Sequence, residues 1–183
     1  MSAVVVFESM FGCTRAVAEA VAAGLRDGGL EAAALDVAEA AARDDTVLRS
    51  ELLVIGAPTH MRGLSTPRSR ALARARGAQP GDLGVHEWFD ALPGLRGRRL
   101  AVFDTRGPGR FSGSAGLRIE KLAAKAGADL VAPCQGFAVE QLDDGRALVA
   151  PGQLDLARGW GRSLAVSTAR SAPGHGRAVQ PTP

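Results

Sequence analysis

Three runs of the chain, Ala3–Phe7, Leu52–Ala57 and Leu100–Phe103, carry no polar residue at all. A strand with polar residues on alternate positions can leave one face in water. These cannot, so each must be covered on both faces, as inner strands of a parallel sheet are. Parallel neighbours need long crossover connections, usually helical, and the intervening sequence has that periodicity. Thr14–Arg26 places Val17, Val21 and Leu25 on one face, and Gly28-Gly29 stops it. Thr66-Pro67 opens a helix predicted to run to about Arg76, with proline near its first position. Val85–Leu92 and Ser114–Ala126 read as further helices, the second halted by Gly127, and Gln153–Val166 as the last. Glu31–Val37 and Leu130–Val139 complete a set of five strands, the latter bent or at an edge because of Pro133 and Gly136.

The expectation is an α/β fold with an open, doubly wound, five-stranded parallel sheet spanning residues 1–166 as one domain. From about Ser167 the chain turns to Ser, Ala, Pro, Gly and Arg, and residues 167–183 read as a disordered tail. Such a sheet binds its ligand beyond the carboxyl ends of the strands, where strand order reverses. For the order 2-1-3-4-5 that point lies between the first and third strands. The loops Glu8–Thr14, Pro58–Leu64 and Asp104–Gly113 would then frame the site.

Composition narrows the function. The 183 residues are 46% hydrophobic but only 4% aromatic, with no tyrosine, so Ala, Leu and Val must build the core. Net charge is +3, and Lys121 and Lys125 are the only lysines. The charge is dispersed without interleaved aromatics, which argues against nucleic-acid binding. Cys13 and Cys134 fit a reducing compartment, and with no Cys-x-x-Cys or Cys/His cluster no metal site is expected. The amino terminus has no signal-peptide pattern, and no apolar run approaches the roughly 20 residues of a membrane span. The expected location is the cytoplasm, with no membrane partner; the oligomeric state is left open.

The first loop is built for an anion. A helix starting near Thr14 leaves its leading N–H groups without internal acceptors and carries partial positive charge there. Gly12 allows close approach of the backbone, and Ser9 and Thr14 add hydroxyls, so a phosphate can be held without lysine. A plain strand-to-helix turn capped by the same hydroxyls is the competing reading.

The stretch "ESMFGCTRAVAEAVAAGL" resembles the phosphate loop of the flavodoxin family, Ser/Thr-x-Thr-Gly-x-Thr followed by a helix, with Phe11 where the family has a threonine. "VIGAPTHMRGLSTPRSRA" is similar to that family's second flavin loop, and "AVFDTRGPGRFSGSAG" falls at the position of its third. The resemblance implies the 2-1-3-4-5 sheet and flavin mononucleotide (FMN) as cofactor. By the same resemblance Ser9, Met10, Phe11, Gly12, Cys13 and Thr14 would hold the phosphate. Pro58, Thr59, His60, Met61, Arg62 and Gly63, with Thr105, Arg106, Gly107 and Phe111, would flank the isoalloxazine ring. The family's peptide that turns its carbonyl to flavin N5 would fall at Gly63.

Single residues divide. Asp104 is either a cap for the following loop or an acceptor for a ribityl hydroxyl. Arg62 and Arg106 are either loop-surface charges or neighbours of the flavin N1–O2 edge, where a cation stabilises the reduced anion. Cys13, at a helix amino terminus, is expected to have a lowered thiol pKa. Trp88, Trp160 and Cys134 read as core and His86 as surface. Arg68, Arg70, Arg74 and Arg76 form either a solvated helix face or a docking patch for an acidic redox partner or a nicotinamide nucleotide. No acid–base set among the three histidines suggests a catalytic residue. An FMN-binding electron-transfer protein is therefore expected. The alternatives are a binding or regulatory module of the same fold that has lost the flavin, and a small FMN-dependent NAD(P)H:quinone-type reductase. A phosphoryl-accepting receiver domain is excluded, since Ala57-Pro58 stands where its aspartate should end the third strand.

Overall fold

The computed structural model describes residues 1–60, 62–108, 113–142 and 147–171. The apolar runs become the inner strands β1 (Ser2–Phe7), β3 (Leu52–Pro58) and β4 (Arg99–Arg106), with β2 (Glu31–Asp36) outside β1. Strand order is β2-β1-β3-β4-β6-β7, where β5 (Asp129–Leu130) also pairs with β4. β1 lies between its neighbours in parallel register, Val5 opposite Ala34 on one side and Val54 on the other. The reversal of strand order falls between β1 and β3, as expected.

The period-2 alternation of these strands divides the core. Val4, Val6, Leu53 and Ile55 face one cluster, closed by α2 (Val37–Ala41), α5 (Val85–Ala91) and α6 (Ala115–Lys125). Val5, Phe7, Leu52 and Val54 face the other, closed by α1 (Cys13–Asp27) and α7 (Gln153–Ser171). Trp88 is buried in the first cluster. Trp160 packs edge-on against Phe103 and Phe137 in the second, with ring centroids 6.3 and 6.1 Å away. His86 is exposed, as expected.

Several elements depart from the sequence reading. The expected fifth strand is split into β5 and β6 (Gln135–Gln141) by the Val131–Cys134 segment, where Pro133 has no N–H to give a ladder. β7 (Ala147–Val149) adds an antiparallel edge on β6, giving seven strands among the described residues instead of five. Helices α2 and α3 (Asp44–Arg49) occupy a segment for which no element was expected; a reciprocal Asp36–Glu39 capping box starts α2. β4 runs past Phe103 to Arg106, so Asp104 lies inside the strand. α4 (Pro67–Arg74) opens on Thr66, whose hydroxyl accepts the Ser69 N–H at 3.1 Å, and stops two residues short of Arg76. The expected domain end at residue 166 is also too early, because α7 continues to Ser171. Thr168 is buried and its carbonyl accepts from Arg99 at 3.0 Å, which holds the last turn on the sheet. Residues 172–183 of the expected tail lie outside the described residues. No helix among the described residues is long and apolar enough to cross a membrane.

Candidate functional site

β1 ends at Phe7 and α1 begins at Cys13, and the intervening loop is fixed from three sides. Met10 is buried against Ala73 and Ala78, and its carbonyl accepts the Gln79 N–H at 3.0 Å. Gly12 adopts φ 94°, and its N–H donates to Ser9 Oγ at 3.1 Å. The buried Thr14 hydroxyl shares a 2.8 Å hydrogen bond with that of Thr105, pinning the first loop to the end of β4.

What the loop leaves open is the start of α1. Gly12 provides no side-chain cap, the first turn has no acidic residue, and the first main-chain bond into the helix is Ala16 N–H to the Gly12 carbonyl. Among the described residues, the N–H groups of Cys13, Thr14 and Arg15 thus meet no acceptor outside their own residue. A Cβ at Gly12 would meet nothing within 4 Å, so the space above the loop is free. Phe11 does not fill it: its side chain stands at the rim, 38% exposed. These features fit the phosphate of a nucleotide, with the main-chain donors of residues 13–15 and the uncommitted Ser9 hydroxyl hydrogen to hold it.

A cleft of about 760 Å³ runs from this loop along the carboxyl edge of the sheet. Met10, Phe11, Cys13 and Thr14 of the first loop line it, with Pro58, Thr59 and His60 of the second and Thr105 and Gly107 of the third. Leu72, Ala73 and Arg76 form the α4 side, and Val139 and Ala147 the β6–β7 side. The sequence reading named Arg76 only within the arginine patch and missed Leu72, Ala73, Val139 and Ala147, because their elements carry no motif and reach the cleft only by packing.

Other expected site residues stand back from the cleft. Asp104 is fully buried; its Oδ2 accepts from the Ser114 hydroxyl, from the Gly116 N–H at 3.1 Å and from the Thr59 hydroxyl at 3.2 Å. Thr59 Oγ1 in turn accepts the Ala115 N–H at 2.9 Å. Through Oδ2 Asp104 anchors the start of α6, while its Oδ1 is buried with no hydrogen-bond partner among the described residues. Arg106 turns away from the cleft, with Nε 3.6 Å from Asp104 Oδ1 and its guanidinium against Gly136. Arg62 and Gly63 are not in the wall. His60 and Gly63 exchange main-chain hydrogen bonds of 2.9 and 3.1 Å, so the Gly63 carbonyl is already engaged. Positive φ in this loop belongs to Arg62, at 74°, rather than to Gly63. Met61 and Phe111 lie outside the described residues.

The thiols differ from expectation. Burial pushes the Cys13 thiol up, against the lowering effect of its own N–H, so the helix terminus does not activate it. Cys134 is half-buried at the start of β6; burial, with the Asp104 and Glu120 carboxylates nearby, pushes it up to about 12. Neither has the electropositive surroundings of a reactive cysteine.

The arginines of α4 also separate. Arg70 is buried and bonded to Ser65 Oγ at 2.8 Å and Glu87 Oε1 at 2.9 Å, and Arg74 pairs with Asp82. Arg68 and Arg76 remain exposed and make no ion pair among the described residues.

A mostly parallel sheet with its reversal point between β1 and β3, and helices on both faces, defines an α/β protein of the doubly wound class. The flavodoxin family model matches residues 5–152, and the chain belongs to that family. Among solved structures, a flavodoxin from the domain Archaea is 20% identical with a TM-score of 0.68, over 92% of this chain and 99% of that one. Oxidised flavodoxin 1 from Bacillus cereus is 17% identical with a TM-score of 0.62, over 94% and 100%. The flavodiiron core from Synechocystis is 17% identical with a TM-score of 0.64, over 93% of this chain and 36% of that one. At these identities the likeness shows the fold alone. No curated protein matches the chain.

Proposed function

We propose that this chain binds FMN and transfers electrons between partners. The observation that carries the reading is the uncapped start of α1 above Gly12, at the mouth of a cleft of about 760 Å³. That volume lies within the roughly 300–1,000 Å³ of ordinary cofactor sites. The flavin, when bound, supplies the redox chemistry, and no protein nucleophile or base is required. The chain's residues bind and orient it: main-chain N–H groups of residues 13–15 and Ser9 at the phosphate, Pro58 to His60 with Thr105 and Gly107 along the ring. The described walls contain no tryptophan or tyrosine, and Leu72 in the α4 wall is 49% exposed.

The partner we propose is acidic. Arg76 lines the cleft and is exposed, Arg68 is exposed on the same α4, and exposed Phe11 and Leu72 in the cleft wall offer an apolar contact beside these cations. The open α4 side also suits direct hydride delivery by a nicotinamide, which would make the protein a small reductase.

The test is a fluorescence titration of the apoprotein with FMN and with riboflavin. Saturable FMN binding about 100-fold tighter than riboflavin, equivalent to about 2.7 kcal/mol, is expected if the first loop grips the phosphate. Absence of FMN binding would leave the fold as a flavin-free binding module. Steady NAD(P)H oxidation by the loaded protein alone would move it to the reductase class.

A further inference from the structure

Asp104 is completely buried, one position before Thr105, which lines the flavin cleft. A second lining residue, Thr59, donates its hydroxyl to Asp104 Oδ2 at 3.2 Å. The carboxylate thus lies directly behind the wall where β3 and β4 end. The described walls themselves carry no Asp or Glu, so Asp104 is the acidic group built into this part of the site. Its two oxygens are unequally served. Oδ2 accepts from Thr59, Ser114 and Gly116, whereas Oδ1 has no hydrogen-bond partner and faces Arg106 Nε at 3.6 Å, beyond hydrogen-bond length. Room for that guanidinium comes from Gly136, which pairs with Asp104 across the β4–β6 ladder: a Cβ there would fall 2.1 Å from Arg106 Nη2. The charge is felt by its neighbours, since Asp104 stands second only to burial in pushing up the Cys134 thiol.

We infer that Asp104 and Arg106 are positioning residues that set the preference of the site between oxidised and reduced flavin, Asp104 disfavouring the reduced ring and Arg106 limiting that penalty. The inference rests on the flavin reading above and deepens it. Neither residue lines the cleft; both act through the wall that Thr59 and Thr105 form. The oxidised ring is neutral, and two electrons with one proton leave it an anion. A carboxylate buried behind the wall is little screened by salt or water, so it opposes that anion while leaving the neutral ring almost unaffected. Arg106 pairs with the carboxylate at a distance that offsets its charge only in part.

The experiment measures the affinity of the apoprotein for oxidised FMN and, under anaerobic conditions, for dithionite-reduced FMN. Asp104→Asn keeps an acceptor for Thr59, Ser114 and Gly116 and removes the charge. It should raise the ratio of reduced to oxidised affinity about ten-fold. Arg106→Gln leaves the carboxylate without its counter-charge and should lower the same ratio about five-fold, while Arg106→Lys should stay within about two-fold of the parent. A role confined to holding the loops would weaken both forms alike. An unchanged ratio in Asp104→Asn, or shifts of the same sign in Asp104→Asn and Arg106→Gln, overturns the inference and leaves the FMN reading standing. Should Asp104→Asn not fold, Arg106→Gln on the more exposed partner decides alone, and a ratio unchanged or raised there overturns the inference. Failure of the parent protein to bind oxidised FMN defeats both readings together.

Discussion

Arg62 shows how one backbone angle can work against its own residue type. Its φ of 74° makes it the one non-glycine residue with positive φ among those described. A left-handed conformation costs an L-residue about 1–2 kcal/mol, which glycine avoids. Arg62→Gly should therefore stabilise the protein. The gain is about 0.5 kcal/mol after the greater freedom of glycine in the unfolded chain is subtracted, and urea unfolding reads it. Gly113, which pairs with Arg62 in an isolated parallel bridge, predicts the reverse. Gly113 has φ 75°, and a Cβ there would lie 2.5 Å from Arg62 Cα. Gly113→Ala should cost about 2–4 kcal/mol in the same assay, from strain and overpacking together.

Helices α1 and α7 approach so closely that glycine decides their spacing. A Cβ on Gly161 would fall 2.3 Å from the Val21 carbonyl oxygen, and one on Gly24 1.9 Å from that of Arg158. Gly159, two residues away on the same helix, has nothing within 4 Å. Gly161→Ala should destabilise by about 1–3 kcal/mol, because the carbonyl it meets is backbone and cannot move aside. Gly159→Ala should stabilise by about 1 kcal/mol through helix propensity alone. Thermal melts of the pair separate packing from propensity, and two effects of the same sign would refute this account of the interface. The same helices are tied at the surface, where Arg158 and Arg162 reach Asp27 at 2.6 and 3.2 Å. Hydrogen bonds from Arg158, then Arg162, lower the Asp27 carboxyl from 3.8 to about 2. A depressed carboxyl pKa gives stability that is complete above the unfolded value and is lost as pH falls from about 4 to 2. Asp27→Asn should flatten that part of the acid limb, as measured by urea midpoints at pH 2.5, 4 and 7.

At the scale of the whole molecule, charge is the feature that sets the ligand's environment. The described walls of the cleft carry Arg76 and no Asp or Glu, in a chain of net charge +3. Attraction of a phosphate ester into such a groove is screened by salt. FMN affinity should fall several-fold between about 0.05 and 0.5 M NaCl, and inorganic phosphate should compete; an affinity indifferent to both would mean the ring alone holds the ligand. The class of fold, its inner strands and the first loop were legible in the sequence, because they depend on local order: unbroken apolar runs, a 3.6-residue repeat, and a glycine before an uncapped helix. The split of the last strand, the β7 edge and helices α2 and α3 were not, because short elements are stabilised by neighbours more than by their own pattern. Among the arginines of α4 and its C-terminal flank the sequence offered four equivalent cations; packing alone buried Arg70, engaged Arg74 and left Arg68 and Arg76 without an ion pair among the described residues. Asp104 and Arg106 likewise sit in the right loop by sequence, yet tertiary contact turns them to α6 and β6 and away from the cleft. Sequence determines which backbone groups are exposed for binding, since that is a matter of chain-local hydrogen bonding. Which side chains stand around them depends on long-range packing, and only the folded molecule decides it.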